Sequence, residues 1–388
     1  MGQRRFRRLR WVALALLTLW LTVQGSSYGV LAARSSPEAT PAAAWVGVAG
    51  TVGETVTPGS PTAERLFSFD EPQLLAQLHQ LSEGSIALPQ FDPRVNGFQF
   101  SNQELIEAID LQRHGANWET VMTAQLQRLF GNQVCLGQAA RGCVLTSAAR
   151  DWLRTQLGRM NLGLSDGMAA AALSLWQPRP QRLPWWQRLV NGLLGRTVFG
   201  LSRHLFDLQT YIANLFLMQS VPEVVQQTQA IRDSRTPTQI LLAMLNSFLG
   251  GARDPVTLGV YRLLEGALTE GHSLTPYRIE DRGRGRYWVY VYDSNYPAGG
   301  STSPADLHVE FDTVADTWRY QPTAQAPVFQ GNASSHTLDL TQLSWRQPQL
   351  PETPGLTGPF TCPFCQGETV DVEHIPVVAD DRSSAHGA

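Results

Sequence analysis

Apolar side chains recur at helical spacing through the first part of the chain. From Glu71 to Phe130 the set includes Leu105, Ile109, Val121, Leu126 and Leu129, the pattern of helices that turn one face to a core. Asn132–Thr146 breaks the pattern and reads as a loop, and Ser147–Leu157 as a short helix. After Gly163, Leu164-Ser165-Asp166-Gly167-Met168 runs into Ala169–Ala172 and then Leu173-Ser174-Leu175-Trp176. So many small residues predict a helix packed closely against its neighbours, which Pro178 and Pro180 end. Pro184 then opens a long amphipathic helix whose apolar side carries Trp186, Leu189, Val190, Leu193, Leu194, Leu205, Leu208, Ile212 and Leu215. Arg188, Arg196, Arg203 and Asp207 interrupt that stretch, so it is a core helix and not a membrane span. Helices around Pro222–Ala230 and Pro237–Leu249 follow.

The period changes at His272. Ser273–Glu280 and Tyr287–Asp293 read as strands joined by the turn Asp281-Arg282-Gly283-Arg284-Gly285-Arg286, and Leu307–Phe311 with Thr317–Gln321 as a second hairpin around Thr313–Asp316. Helices first and strands later predict an α+β fold, with a helical N-terminal half and an antiparallel β C-terminal half. A turn centred between Gly283 and Arg284 pairs Glu280 with Tyr287 and, by extrapolation, His272 with Asn295. Asp293 then lies diagonally on the same face. An imidazole would there meet a carboxylate or amide able to fix its ring orientation, whereas a slip of one residue would put the groups on opposite faces.

Composition adds a compartment. Arg4, Arg5, Arg7, Arg8 and Arg10 precede an apolar run from Trp11 to Val23, the charged flank and short apolar core of a secretory leader. Residues 1–33 are therefore a signal peptide, with small residues for cleavage at Val30-Leu31-Ala32 or Val23-Gln24-Gly25, or an uncleaved anchor that tethers the chain to a membrane. Residues 34–64, rich in Ala, Pro, Ser, Thr and Gly, form a linker; 65–350 form the main domain and 351–388 a tail. The expected location is extracellular or the cell envelope. All 30 basic residues are arginine, which excludes lysine chemistry of every kind. Removing the five leader arginines leaves 25 against 33 acids, about −8 in all, a balance that argues against a nucleic-acid partner.

Four cysteines in an exported chain predict disulfides. Cys135 and Cys143 would staple the loop that holds Gly137 and Gly142. Thr361-Cys362-Pro363-Phe364-Cys365 has a glutaredoxin-type spacing, but prolines precede it and too little chain follows for a redox domain of that fold. A local disulfide, a link from tail to body, or half of a zinc knuckle with His374 remain. No cofactor is implied.

Several segments resemble those of a group of secreted bacterial papain-like proteins. Gly163-Leu164-Ser165-Asp166-Gly167-Met168-Ala169 is similar to their Gly-His-Cys-x-Gly-Met-Ala, and Gly271-His272-Ser273-Leu274-Thr275-Pro276-Tyr277 to their Gly-His-Ala-Val-Thr-Pro-Tyr. Val291-Tyr292-Asp293-Ser294-Asn295-Tyr296-Pro297 resembles their Val-Tyr-Asp-Asn-Asn-Tyr-Pro, and Asp316-Thr317-Trp318-Arg319-Tyr320 their Asn-Thr-Trp-x-Tyr. The resemblance spans about Phe130 to Tyr320. It implies a papain-like fold with the nucleophile position at the head of a helix, His272 as base and Asp293 or Asn295 as its orienter. Ser165 stands where that group has its cysteine, and Leu164 where it has a histidine. A thiol near pKa 8.5 forms a resting thiolate beside an imidazole, whereas a hydroxyl is far too weak an acid to do so. No glutamine lies within eight residues upstream of Ser165 as an oxyanion donor; Gln156 and Asn161 are the candidate substitutes. Otherwise Ser165 is a helix N-cap. The reading is an exported protein with a degenerate site that binds a peptide or another amide-containing or envelope-associated ligand. The alternatives are an active serine hydrolase of amide or ester bonds and a structural envelope protein.

Overall fold

The computed structural model describes residues 66–81, 84–136, 142–177, 197–297, 307–346, 355 and 358–365. The leader, the linker, most of the tail and the stretch from Pro178 to Arg196 lie outside these residues. The helices are α1 (Glu71–His79), α2 (Pro93–Asn96), α3 (Asn102–Ile109), α4 (Leu111–Phe130), α5 (Ser147–Leu162), α6 (Ser165–Trp176), α7 (Phe206–Met218), α8 (Pro222–Ser234) and α9 (Pro237–Leu249). The strands are β1 (Ser85–Ala87), β2 (Val256–Leu264), β3 (Ala267–Asp281), β4 (Arg286–Tyr292), β5 (His308–Asp312), β6 (Thr317–Tyr320), β7 (Phe329–Asn332) and β8 (Leu338–Gln342). The fold is mixed α+β, a helical part followed by an antiparallel sheet, as the sequence predicts.

The sheet runs β7-β6-β5-β4-β3-β2-β8, with β1 paired to the far half of β3. It curls towards closure. Thr337, between β7 and β8, accepts from Trp318 Nε1 on β6 at 3.2 Å, and its carbonyl accepts from the Tyr261 N–H on β2 at 3.0 Å. Alternation is clean on β5, where Val309 and Phe311 are buried, whereas β4 is buried without a break from Val289 to Tyr292.

Helix α6 is the hub. Every residue from Ser165 to Ser174 is buried, and the alanine run lets neighbouring backbones come close. On one side Thr275 Oγ1 of β3 donates to the Ala169 carbonyl at 3.2 Å. On the other, Gly167 abuts α7 so tightly that an added Cβ would fall 2.4 Å from the Ile212 carbonyl oxygen. Gly167→Ala should therefore destabilise the fold by about 1–3 kcal/mol despite alanine's better helix propensity, because overpacking outweighs the local gain. Urea denaturation measures it.

Three sequence expectations need correction. The helix drawn from Pro184 to Leu215 is not continuous: Val198–Gly200 is a short 3-10 turn and α7 starts only at Phe206. Gly200 and the Ser202 hydroxyl, which accepts from the His204 N–H at 3.3 Å, hold the intervening chain in turns. Second, the β region begins at Val256, not at His272, so β2 precedes the predicted strands. Third, Ser85–Ala87, inside the region read as helical, is a strand on β3. Helices α8 and α9 and the β5–β6 hairpin lie where the sequence puts them.

Candidate functional site

The head of α6, the middle of β3 and the chain leaving β4 meet at one place. Leu164 is the N-cap of α6 and offers no side-chain cap, so Ser165 is its first residue and not the cap. Asn102 takes up the neighbouring backbone: its Oδ1 accepts from the Leu164 N–H at 2.7 Å. Asn102 is fixed in turn by the capping box of α3, in which Ser101 and Glu104 satisfy each other's backbone. Its own N–H donates to the Ser294 carbonyl at 2.9 Å. One asparagine thus joins the head of α6 to the segment that follows β4.

The hairpin register explains how His272 meets Asp293. Near the turn the observed pairs are Asp281–Tyr287 and Glu280–Trp288, one residue out of step with the predicted register. The turn itself centres on Arg284, where Gly283, Arg284 and Gly285 all adopt positive φ. A bulge between Pro276 and Arg278 then restores the predicted register, so Thr275 pairs with Tyr292. The ladder ends there. His272 pairs instead with Val260 of β2, and the turn closed by the Tyr296 N–H on the Asp293 carbonyl, at 3.0 Å, folds Asp293 back. His272 Nε2 and Asp293 Oδ1 lie 2.7 Å apart.

Asp293 is 1 % exposed and fully engaged. Besides His272, it accepts from the Asn295 N–H at 2.7 Å and from the Tyr320 hydroxyl at 2.6 Å. Burial alone would raise its pKa. The adjacent His272, its hydrogen bond, and those from Tyr320 and the Asn295 backbone outweigh burial and hold the carboxyl below its ordinary value of 3.8. A depressed carboxylate contributes stability that is complete above the unfolded pKa and is lost as pH falls through the folded one. Tyr320→Phe removes one donor and moves the folded pKa up towards 3.8, so the variant should unfold at a higher pH than the parent in an acid titration followed by circular dichroism.

Ser165 lies against β3 at Ser273, the residue after His272, but is not bonded to the imidazole. Its Oγ, in a residue 1 % exposed, accepts the Ser273 N–H at 3.5 Å, a long contact. Ser273 Oγ donates to Asp166 Oδ1 at 2.9 Å, so the residues after Ser165 and after His272 clamp α6 to β3. Beneath them Arg346, 2 % exposed, forms a two-pronged pair with Asp166, with Nη2 donating to Oδ1 at 2.7 Å.

Of the four predicted site residues, His272 and Asp293 are bonded, Ser165 reaches the backbone N–H of Ser273 next to His272, and Asn295 bonds Asp293 through its backbone N–H. Neither proposed oxyanion donor reaches the site. Gln156 Oε1 accepts from Ser220 Oγ at 2.8 Å and Arg159 Nη1 at 3.3 Å, and Asn161 is exposed. Asn102, Tyr320, Asp166 and Arg346 were not anticipated. Tyr320 was within reach, because it closes the Asp-Thr-Trp-Arg-Tyr segment of the resemblance. Asn102 has only its capping box to mark it, and Arg346 has no local signal.

Both cysteine pairs are disulfides, Cys135–Cys143 and Cys362–Cys365, which fits an oxidising compartment. Their bonding to each other removes Cys362 and Cys365 as zinc ligands, and His374 lies outside the described residues. No helix among the described residues is long and apolar enough to cross a membrane. Compared with family models, curated proteins and solved structures, the chain matches none.

Proposed function

We propose that the chain is an exported papain-like protein whose Ser165–His272–Asp293 site has lost peptidase chemistry and binds a peptide or another amide-containing ligand. One observation carries the reading: a fully assembled base and orienter stand beside a nucleophile position that lacks both the thiol and the hydrogen bond to its base. His272 and Asp293 are 2.7 Å apart and Tyr320 backs the carboxylate, while Ser165 Oγ is engaged by the Ser273 N–H. Serine attack needs the base to take the hydroxyl proton during attack. A hydroxyl turned to a backbone N–H and 1 % exposed is poorly placed for that. The leader and the disulfides together support an extracellular or envelope location.

A fluorophosphonate probe applied to the purified protein tests the reading. The expected result is no label on Ser165 under conditions in which a serine hydrolase is labelled fully. Labelling that disappears in Ser165→Ala would instead establish an active serine hydrolase.

A further inference from the structure

The second disulfide takes no part in the Ser165 site. It closes a loop with only Pro363 and Phe364 between its cysteines. A loop that short removes less freedom from the unfolded chain than any wider bridge, so stapling is its weakest use.

The segment around it is held independently of the S–S bond. Phe360 N–H donates to the Leu129 carbonyl at 3.2 Å, and Thr361 N–H to Glu223 Oε1 at 2.7 Å. The Phe364 ring packs against Phe130 and Trp152 with centroids 5.5 and 5.6 Å away. Opening the bridge therefore leaves both sulfurs in place to close it again. Both cysteines line a cavity of about 330 Å³ open to solvent, together with Glu223 and Thr361. Cys362 is 7 % exposed, whereas Cys365 is half-buried and the easier to reach. The carboxylate of Glu223 sits against the residue preceding Cys362, and its Oε2 is buried without a partner.

We propose that Cys362–Cys365 is a reversible thiol–disulfide exchange site for dithiols of exported proteins. A thiolate of the partner attacks Cys365 Sγ, the S–S bond breaks, and Cys362 leaves as a thiolate that takes up a proton. The partner's second thiolate then attacks its own sulfur in the mixed disulfide and releases Cys365, which is protonated in turn. Two electrons pass from the partner to the pair, and the partner's two thiol protons are balanced by those gained at Cys362 and Cys365. The negative charge of Glu223 opposes the thiolate that develops on Cys362 and so slows opening of the bridge.

The test is equilibration of the full chain in graded mixtures of reduced and oxidised glutathione, followed by acid quenching, alkylation and peptide mass spectrometry. The expected result is a midpoint at which Cys362–Cys365 opens and recloses while Cys135–Cys143 and the near-ultraviolet circular dichroism stay unchanged. Glu223→Gln, which keeps the acceptor for Thr361, should speed opening of the bridge by reduced glutathione several-fold in samples quenched at timed intervals. A bridge that opens only together with Cys135–Cys143, or only as the tertiary signal collapses, overturns the site and makes it a staple. An unchanged opening rate in Glu223→Gln overturns the role given to the carboxylate.

Discussion

Ser165→Cys should give a thiol that is alkylated quickly at about pH 6, where an unperturbed thiol near 8.5 is almost wholly protonated. The replacement would stand as the first residue of α6, where free backbone N–H groups and the helix dipole favour negative charge. Beside it is an imidazole whose ring is already fixed by Asp293 at 2.7 Å. Each lowers a thiol pKa by stabilising the thiolate. A depression of two units would raise the thiolate fraction at that pH by about a hundredfold. The measurement is the rate of iodoacetamide labelling against pH, in Ser165→Cys and in Ser165→Cys/His272→Ala. Labelling that begins only above about pH 8 in both would mean that His272 does not act on that position, and the degenerate-cleft reading would fall.

The largest loss of stability should come from Asp166→Ala. Arg346 is 2 % exposed, and its guanidinium is matched in the core by Asp166, with a long contact to the Leu215 carbonyl and the charge of the buried Asp339 beyond it. Removing one partner of a buried pair leaves an uncompensated charge in a low dielectric and costs about 3–5 kcal/mol. Chemical denaturation gives the value. Asp166→Ala/Arg346→Met should recover most of the loss, because an apolar chain of similar length fills the guanidinium's place without its desolvation cost. A double variant no more stable than Asp166→Ala would show that the ion pair is not what holds the two segments together.

The fold was legible in the sequence wherever periodicity was unambiguous. Helices α8 and α9 have a proline in the first turn and a clean helical stripe, and β5 with β6 alternate about a short turn. Strand β2 was missed although Val256, Leu258 and Val260 alternate with Thr257 and Gly259: the alternation lasts only five residues, all of them buried, and breaks at Arg262-Leu263-Leu264, where a bulge shifts the register. The meeting of His272 and Asp293 was found by an extrapolation that crossed a hidden defect. The counted register was wrong by one at the turn and correct again at Thr275–Tyr292, where the ladder ends, because a bulge next to Pro276 made up the difference; the turn at Asp293, and not a ladder pair, then brings that residue to His272. Asn102 and Arg346 were out of reach for another reason. Each acts on α6 from far along the chain, 62 and 180 residues away in the hydrogen bonds they form, and no local pattern encodes a partner at such separation.

The bridging position of Asn102 bears on where the protein can be cut. The segments that suggest the family lie between Phe130 and Tyr320, and a fragment with those ends would contain Ser165, His272, Asp293 and Tyr320. It would not contain Asn102, which ties Leu164 to Ser294, nor Arg346, which neutralises Asp166. Such a fragment keeps every recognisable motif and loses the two ties that hold their carriers in register. The smallest piece that can be expected to assemble the site therefore runs from the capping box at Ser101 to beyond Arg346, and boundaries drawn on motif content alone would yield a chain with the right letters and no site.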